Sequence, residues 1–135
     1  MITIDISTID ELLQFLKALA ARHKQGLWYR GEENSALTLV PSIQRSEKRL
    51  AIERFITNDF YIRAKQIFKN PPEKHNYSEW VALMQHHGLP TRMLAWSKSP
   101  LIAVFFATEP YQQYPDTDAC VWVLAPNLLT QMEGF

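Results

Sequence analysis

The segment Gln85-His86-His87-Gly88-Leu89-Pro90-Thr91-Arg92 sets amide, imidazole, hydroxyl and guanidinium groups around one Gly and one Pro, between segments that read as buried. A buried polar group without a partner costs about 1–3 kcal/mol, so folding alone is a poor explanation of that density and a site is the better one. A second place of this kind is Trp28-Tyr29-Arg30-Gly31-Glu32, an aromatic run that ends in an Arg and a residue free to turn. An Arg at a strand end can present its planar fork to a phosphate or carboxylate. A structural ion pair of Arg30 with Glu32, Glu33 or a later Asp is an equally weighted alternative. Trp28 and Tyr29 should alternate faces, so that one packs inward and the other flanks a ligand.

Within the longer block, His86 is a candidate general acid or base, because imidazole titrates near neutrality. His87 is read instead as bonding a backbone carbonyl and fixing the turn before Pro90. Neighbouring positions on a helix diverge by about 100°, so the two imidazoles are not expected to share a metal ion. His23, His75 and Cys120 have none of the usual ligand spacings, and no metal site is expected. Arg92 either adds a second anion contact to that of Arg30 or binds the exposed carbonyls at the end of the preceding helix. Trp96 is a core plug or one wall of a pocket. Ser97 and Ser99 read as caps, with Ser97 also placed to touch a ribose or phosphate.

Together the two segments resemble the FRG domain family, whose signature is aromatic-Arg-Gly and whose downstream block is Gln-His-x-Gly-x-Pro-Thr-Arg-Leu-Leu-Asp-Trp-Thr. Here that block runs from Gln85 to Ser97 and is followed by Ser99 to Ala107, which also fits; the resemblance spans about Trp28 to Ala107. The resemblance names no reaction, though His86 matches the family's His; read from the residues, His86 and Arg30 are the catalytic candidates, and Tyr29, Gly31, Gln85, Thr91, Arg92, Trp96 and Ser97 the ligand-binding ones. One departure is clear: Ala95 stands where the family has Asp. If that carboxylate orients a neighbouring Arg or His, this copy is inactive or is a deliberately silenced form of a harmful activity. Members of the family usually continue with further strands, so the chain is expected to be a fragment or a reduced form.

The elements that must hold these groups follow from local signals. Thr8-x-x-Glu11 makes a capping box, and Leu12, Phe15, Leu16, Leu19 and Ala20 recur at helical spacing, which predicts a helix over 9–23. Leu27 to Arg30 is predicted as a short strand, with Arg30 at or near its end and Gly31 bending the chain. Pro41 keeps 38–44 irregular. A long helix over 47–69 carries its apolar residues mainly on one stripe and stops at Asn70-Pro71-Pro72. Asn76 and Glu79 start a third helix over 77–87, with Gly88 beyond its end. Pro90 then forces an extended entry into Thr91 to Leu94, predicted as a second strand. Ser99-Pro100 starts a helix over 100–108 that is apolar nearly all round and so expected to be buried. Cys120 to Leu124 is a further strand. The order implies an α+β (mixed α/β) fold, a small sheet packed by several helices, as a single domain over 1–135.

Composition narrows the partners. The 135 residues are one domain's worth, and at 47% apolar they can build a real core. Formal charge is zero with the signs interspersed, so no broad field gathers nucleic acid or an anionic bilayer, and nucleic acid is not the expected partner. The lone Cys120 sits in an apolar run and reads as a small core residue. The N-terminus lacks a secretory pattern and the longest apolar run, Leu101 to Ala107, is too short to cross a bilayer, which makes a cytoplasmic location without a membrane partner the expectation.

Three functional classes fit. The first is a nucleotide-utilising enzyme with NAD as substrate, since the layout is remotely similar to the ADP-ribosyltransferases; these use a Glu on a later strand, whereas here Glu133 is the one acid after the last strand. The resemblance would place such an activity in a bacterial toxin or phage-conflict system. The second is a non-catalytic module that recognises a phosphorylated small molecule, a nucleotide or a protein partner. The third is a nuclease-like hydrolase using His86 with Arg30 and Arg92 on phosphate.

Overall fold

A computed structural model of the chain describes residues 2–23, 26–109 and 116–133. They form five helices, α1 (Ile9–Arg22), α2 (Glu47–Ile67), α3 (Tyr77–His86), α4 (Pro100–Thr108) and α5 (Pro126–Glu133), and two strands, β1 (Trp28–Glu32) and β2 (Cys120–Leu124). The class is α+β, as the element order implied. The chain divides into two compact units, Met1–Leu37 with Trp96–Phe135 and Thr38–Ala95.

In the first unit, β1 and β2 pair antiparallel, with Trp28 opposite Leu124, Arg30 opposite Trp122 and Glu32 opposite Cys120. Side chains alternate across a strand, so Tyr29, Gly31, Val121 and Val123 share one face of this ribbon and Arg30, Glu32, Cys120 and Trp122 share the other. The first face is the core side: Tyr29, Leu16, Leu27 and Ala103 are buried together, with Leu12, Phe15, Leu19, Val121 and Val123 packed around them. Tyr29 therefore packs inward while Trp28 remains 39% exposed. Burial also raises the pKa of the Tyr29 phenol.

The capping box of α1 is complete. Glu11 N donates to Thr8 Oγ1 at 3.2 Å, and the Glu11 carboxylate accepts from Thr8 N at 3.2 Å and Ser7 N at 3.0 Å. Replacing Thr8 by Ala leaves one of these donors without its cap. The expected loss is about 1 kcal/mol of stability by chemical denaturation.

Three sequence expectations are corrected in this unit. β1 continues through Gly31 to Glu32, so Arg30 lies inside the strand and Gly31 does not bend it. Gly31 is needed for another reason: a Cβ at that position would sit 2.7 Å from Ala107 N and 2.9 Å from the Ala103 carbonyl carbon, so only a bare Cα lets α4 lie this close to β1. Helix α4 is not buried all round. Ala103 and Ala107 face the ribbon, whereas Leu101, Ile102, Phe105 and Phe106 are each about half exposed.

In the second unit α2 packs on α3, with the Tyr61 and Trp80 rings 4.7 Å apart and Trp80 Nε1 donating to the Glu73 carbonyl at 3.0 Å. Ile43, Ala64, Trp80 and Met84 are buried. The α2 stripe is less one-sided than predicted, because Ile52, Phe55 and Ile67 are exposed while Ile56 and Phe60 are half-buried. Helix α3 ends in a Schellman arrangement, with Gly88 N donating to Gln85 O at 3.0 Å and Leu89 N to Met84 O at 3.1 Å. Gly88 takes φ +78°, the left-handed conformation that this cap requires.

Thr91 to Leu94 is not a strand. The Thr91 hydroxyl accepts the Met93 N–H at 3.2 Å, a local turn that competes with ladder pairing. Sheet contact comes three residues later in the first unit, where Ser97 and Tyr29 exchange backbone bonds of 2.7 and 2.8 Å as an isolated bridge. None of the described helices is long and apolar enough to cross a membrane.

Candidate functional site

The expected site residues fall into two groups, one in each unit. Tyr29, Arg30, Gly31, Trp96 and Ser97 belong to the first, and Gln85, His86, Thr91 and Arg92 to the second.

In the first group Arg30 is held by its strand neighbour two residues on. Arg30 Nε and Nη2 both donate to Glu32 Oε1, at 2.8 and 2.6 Å. The Glu32 side chain is 2% exposed and that of Arg30 is 18% exposed, so this is a largely desolvated ion pair. Taking a carboxylate out of water is costly unless a cation stays beside it, which makes Arg30 the group that lets Glu32 be buried. The ion-pair alternative for Arg30 is the one the geometry contains.

On the same face of the ribbon, the Trp122 indole Nε1 is buried and, among the described residues, has no partner in good hydrogen-bond geometry. The Cys120 thiol of that face meets the indole only weakly. Its pKa is raised chiefly by burial and further by the Glu32 and Glu33 carboxylates. A thiol pushed up in this way is a poor nucleophile, and Cys120 is half-buried rather than in the core. Ser97 Oγ accepts the Ser99 N–H at 3.0 Å, so its hydroxyl acts at the entry to α4. Trp96 is half-buried.

An open depression of about 520 Å³ in the first unit is lined by Leu27, Trp28, Tyr29, Lys98 and Asn127 among others. Tyr29 is the one expected ligand-binding residue on its wall; neither Arg30 nor Ser97 lines it. An open, mainly apolar hollow with one cation is a weak place for charge chemistry, so the polar clusters are the better candidates.

In the second group Thr91 is buried, and its hydroxyl donates to Gln85 Oε1 at 3.0 Å. Because an amide oxygen can only accept, the single Thr91 proton lies in the bond to Gln85, while Thr91 Oγ1 also accepts from Met93 N. That bond holds the Gln85 amide by its oxygen, and among the described residues no hydrogen bond takes its two Nε2 donors. His86 is exposed, and its ring meets that of His87 edge-on at 5.3 Å. His87 places its ring 6.0 Å from Phe60 and 5.4 Å from Phe68, so aromatic packing positions it rather than the expected carbonyl bond.

Arg92 pairs with an acid of α2 and does not bond the carbonyls at the end of α3. Its Nε donates to Glu53 Oε1 at 2.6 Å and its Nη2 to Glu53 Oε2 at 2.7 Å, a bidentate pair across to α2. This pair holds the Glu53 carboxyl below the usual carboxylate range. Glu53 is a functional candidate that sequence reasoning missed, because 39 positions separate it from Arg92 and no local pattern links them. The pair is open to water, with Arg92 60% exposed. Among the described residues no group of three or more His, Cys, Asp or Glu could hold a metal ion.

The FRG domain model matches residues 25–116, a stretch that holds both the aromatic-Arg-Gly strand and the Gln85 to Ser97 block. The chain belongs to the FRG domain family. The matched stretch of this FRG domain runs through both units and contains every residue of the two groups. No curated protein and no solved structure matches the chain. In this chain the Gln and His of the block thus fall at the end of α3, and its Thr and Arg just beyond the Schellman turn.

Proposed function

We propose that this FRG domain binds a phosphorylated small molecule or nucleotide, with Gln85, His86 and Arg92 as its contacts and Thr91 as the residue that orients Gln85. The observation that carries the reading is the Thr91–Gln85 bond, in which a buried hydroxyl holds the Gln85 amide by its oxygen and fixes its orientation. Such preorganisation is what a binding group needs and what folding alone does not require.

Energetics decide which Arg the ligand recruits. Drawing Arg30 away would strand a buried carboxylate, at a cost of about 3–5 kcal/mol. An exposed surface pair such as Arg92–Glu53 exchanges partners cheaply, and the planar fork suits phosphate as well as carboxylate. Arg30 is therefore assigned to structure and Arg92 to the ligand, in place of the catalytic candidacy of Arg30.

Binding without turnover is the form best supported. The raised Cys120 thiol offers no activated nucleophile, and Ala95, which is exposed, lacks the family's carboxylate. An NAD-cleaving reaction would need a carboxylate against the developing oxocarbenium-like charge. The Glu133 side chain lies outside the described residues.

Thermal unfolding with NAD, ADP-ribose, ADP and inorganic phosphate at millimolar levels tests the reading. A ligand at a hundred times its Kd adds about 2.7 kcal/mol of stability, a shift of several degrees. No shift with any of the four would remove the proposal. Glu53→Gln frees Arg92 from its internal competitor and is expected to tighten binding severalfold. Arg92→Ala is expected to abolish the shift while the unliganded melting temperature stays within about 2 °C.

A further inference from the structure

The open hollow of the first unit suits a different class of ligand from the anion site of the second. Its volume of about 520 Å³ lies within the roughly 300–1,000 Å³ of small-molecule sites. Leu27 and Pro126 supply apolar wall. The Trp28 indole adds an aromatic one and is 39% exposed, although it belongs to a paired strand. An indole that keeps this much free surface offers stacking to a planar ring.

Lys98, Tyr29 and Asn127 bring polar groups to the same hollow. Lys98 is exposed and makes no ion pair among the described residues. No acid belongs to the lining, so the hollow holds a single uncompensated positive charge. Tyr29 is only 5% exposed, yet among the described residues its hydroxyl has no hydrogen-bond partner and is not sealed from solvent. A hydroxyl on a nearly buried side chain with no protein partner is a donor that a bound acceptor can satisfy. One ammonium balances one negative charge, so a doubly charged phosphate would keep an excess and a neutral ring would leave the cation unused.

We propose that this hollow binds a small aromatic monocarboxylate, its ring laid on the Trp28 indole and its carboxylate held by the Lys98 ammonium, with the Tyr29 hydroxyl and the Asn127 amide as further donors. The hollow is open and covers only part of such a ligand, so the affinity is modest, with a Kd of roughly 0.1–1 mM. This second site uses none of the residues assigned to the phosphorylated ligand and stands apart from that reading.

Titration of the isotope-labelled chain with naphthoate, followed by magnetic resonance of the indole N–H signals, reads it directly, with Trp28→Phe assigning the Trp28 signal. Naphthamide keeps the ring and loses the charge, and inorganic phosphate keeps charge and loses the ring. The expected result is a saturable shift of the Trp28 signal by naphthoate that Lys98→Ala weakens by about threefold to tenfold and Lys98→Arg largely preserves. Tyr29→Phe, which removes only the hydroxyl, should weaken it by about threefold, with the melting curve showing each variant folded. Naphthamide should bind by about the same factor less tightly as naphthoate does to Lys98→Ala. A Trp28 signal unmoved at about 5 mM naphthoate overturns the proposal. So does naphthoate binding indifferent to Lys98→Ala, naphthamide binding as tight as naphthoate, or phosphate moving the Trp28 signal with equal affinity.

Discussion

Gly31→Ala is expected to destabilise the first unit by about 3 kcal/mol or more, the upper end of what overpacking costs, and to lower the melting temperature by roughly 10–20 °C. The new methyl would approach Ala107 N to 2.7 Å and the Ala103 carbonyl carbon to 2.9 Å, and both obstacles are backbone. A flexible side chain could swing aside, but a helix can yield only by moving as a body, which would open the contact that buries Ala103 against Tyr29 and Leu16. Thermal denaturation followed by circular dichroism checks the size of the effect. A variant within 1 °C of the parent would mean that α4 does not lie this close to β1. The Gly in the aromatic-Arg-Gly signature is then explained by packing of a helix on a strand, with no ligand invoked.

Arg30→Met is expected to cost about 3–5 kcal/mol, because it leaves the Glu32 carboxylate buried with its cation removed. The informative comparison is the double variant Arg30→Met/Glu32→Met, which removes both charges and should recover most of that loss, since apolar replacements of a buried pair are often neutral. Urea unfolding of the two variants beside the parent measures this. If Arg30→Met were as stable as the parent, the pair would contribute nothing to folding and Arg30 would be available for a ligand. The arrangement gives the Arg of the signature a structural meaning as definite as that of the Gly beside it.

How much was legible in the sequence depended on distance along the chain. The α1 cap, the Asn76 start of α3, the Gly88 turn and the Pro100 start of α4 were readable because each is set by residues three or four positions apart. The β2 strand over Cys120 to Leu124 was readable from its β-branched and aromatic content. Thr91 to Leu94 misled, since Pro90 implies extended backbone but not a partner strand, and the Thr91 hydroxyl takes the Met93 N–H that a ladder would use. Helix α4 misled in another way: apolar composition predicts that a face wants cover and is silent on whether the cover comes from the same chain. At the site, the polar types were legible but their pairings were not. Arg92 meets Glu53 across 39 residues, and nothing local announces it. The Arg30–Glu32 pair was anticipated as one alternative among nearby acids, but the strand that continues to Glu32 and sets the two on one face was not.

The central claim is that the amide aimed by Thr91, the exposed imidazole of His86 and the exchangeable fork of Arg92 together receive an anion, while Arg30 serves the fold. Calorimetric titration of the best anion from the thermal panel into the parent, Glu53→Gln, Arg92→Ala and Thr91→Val chains tests it most directly. The account predicts tighter binding for Glu53→Gln, no measurable heat for Arg92→Ala, and a loss of about tenfold for Thr91→Val as the Gln85 amide is released. Binding that is equal in all four chains would contradict it.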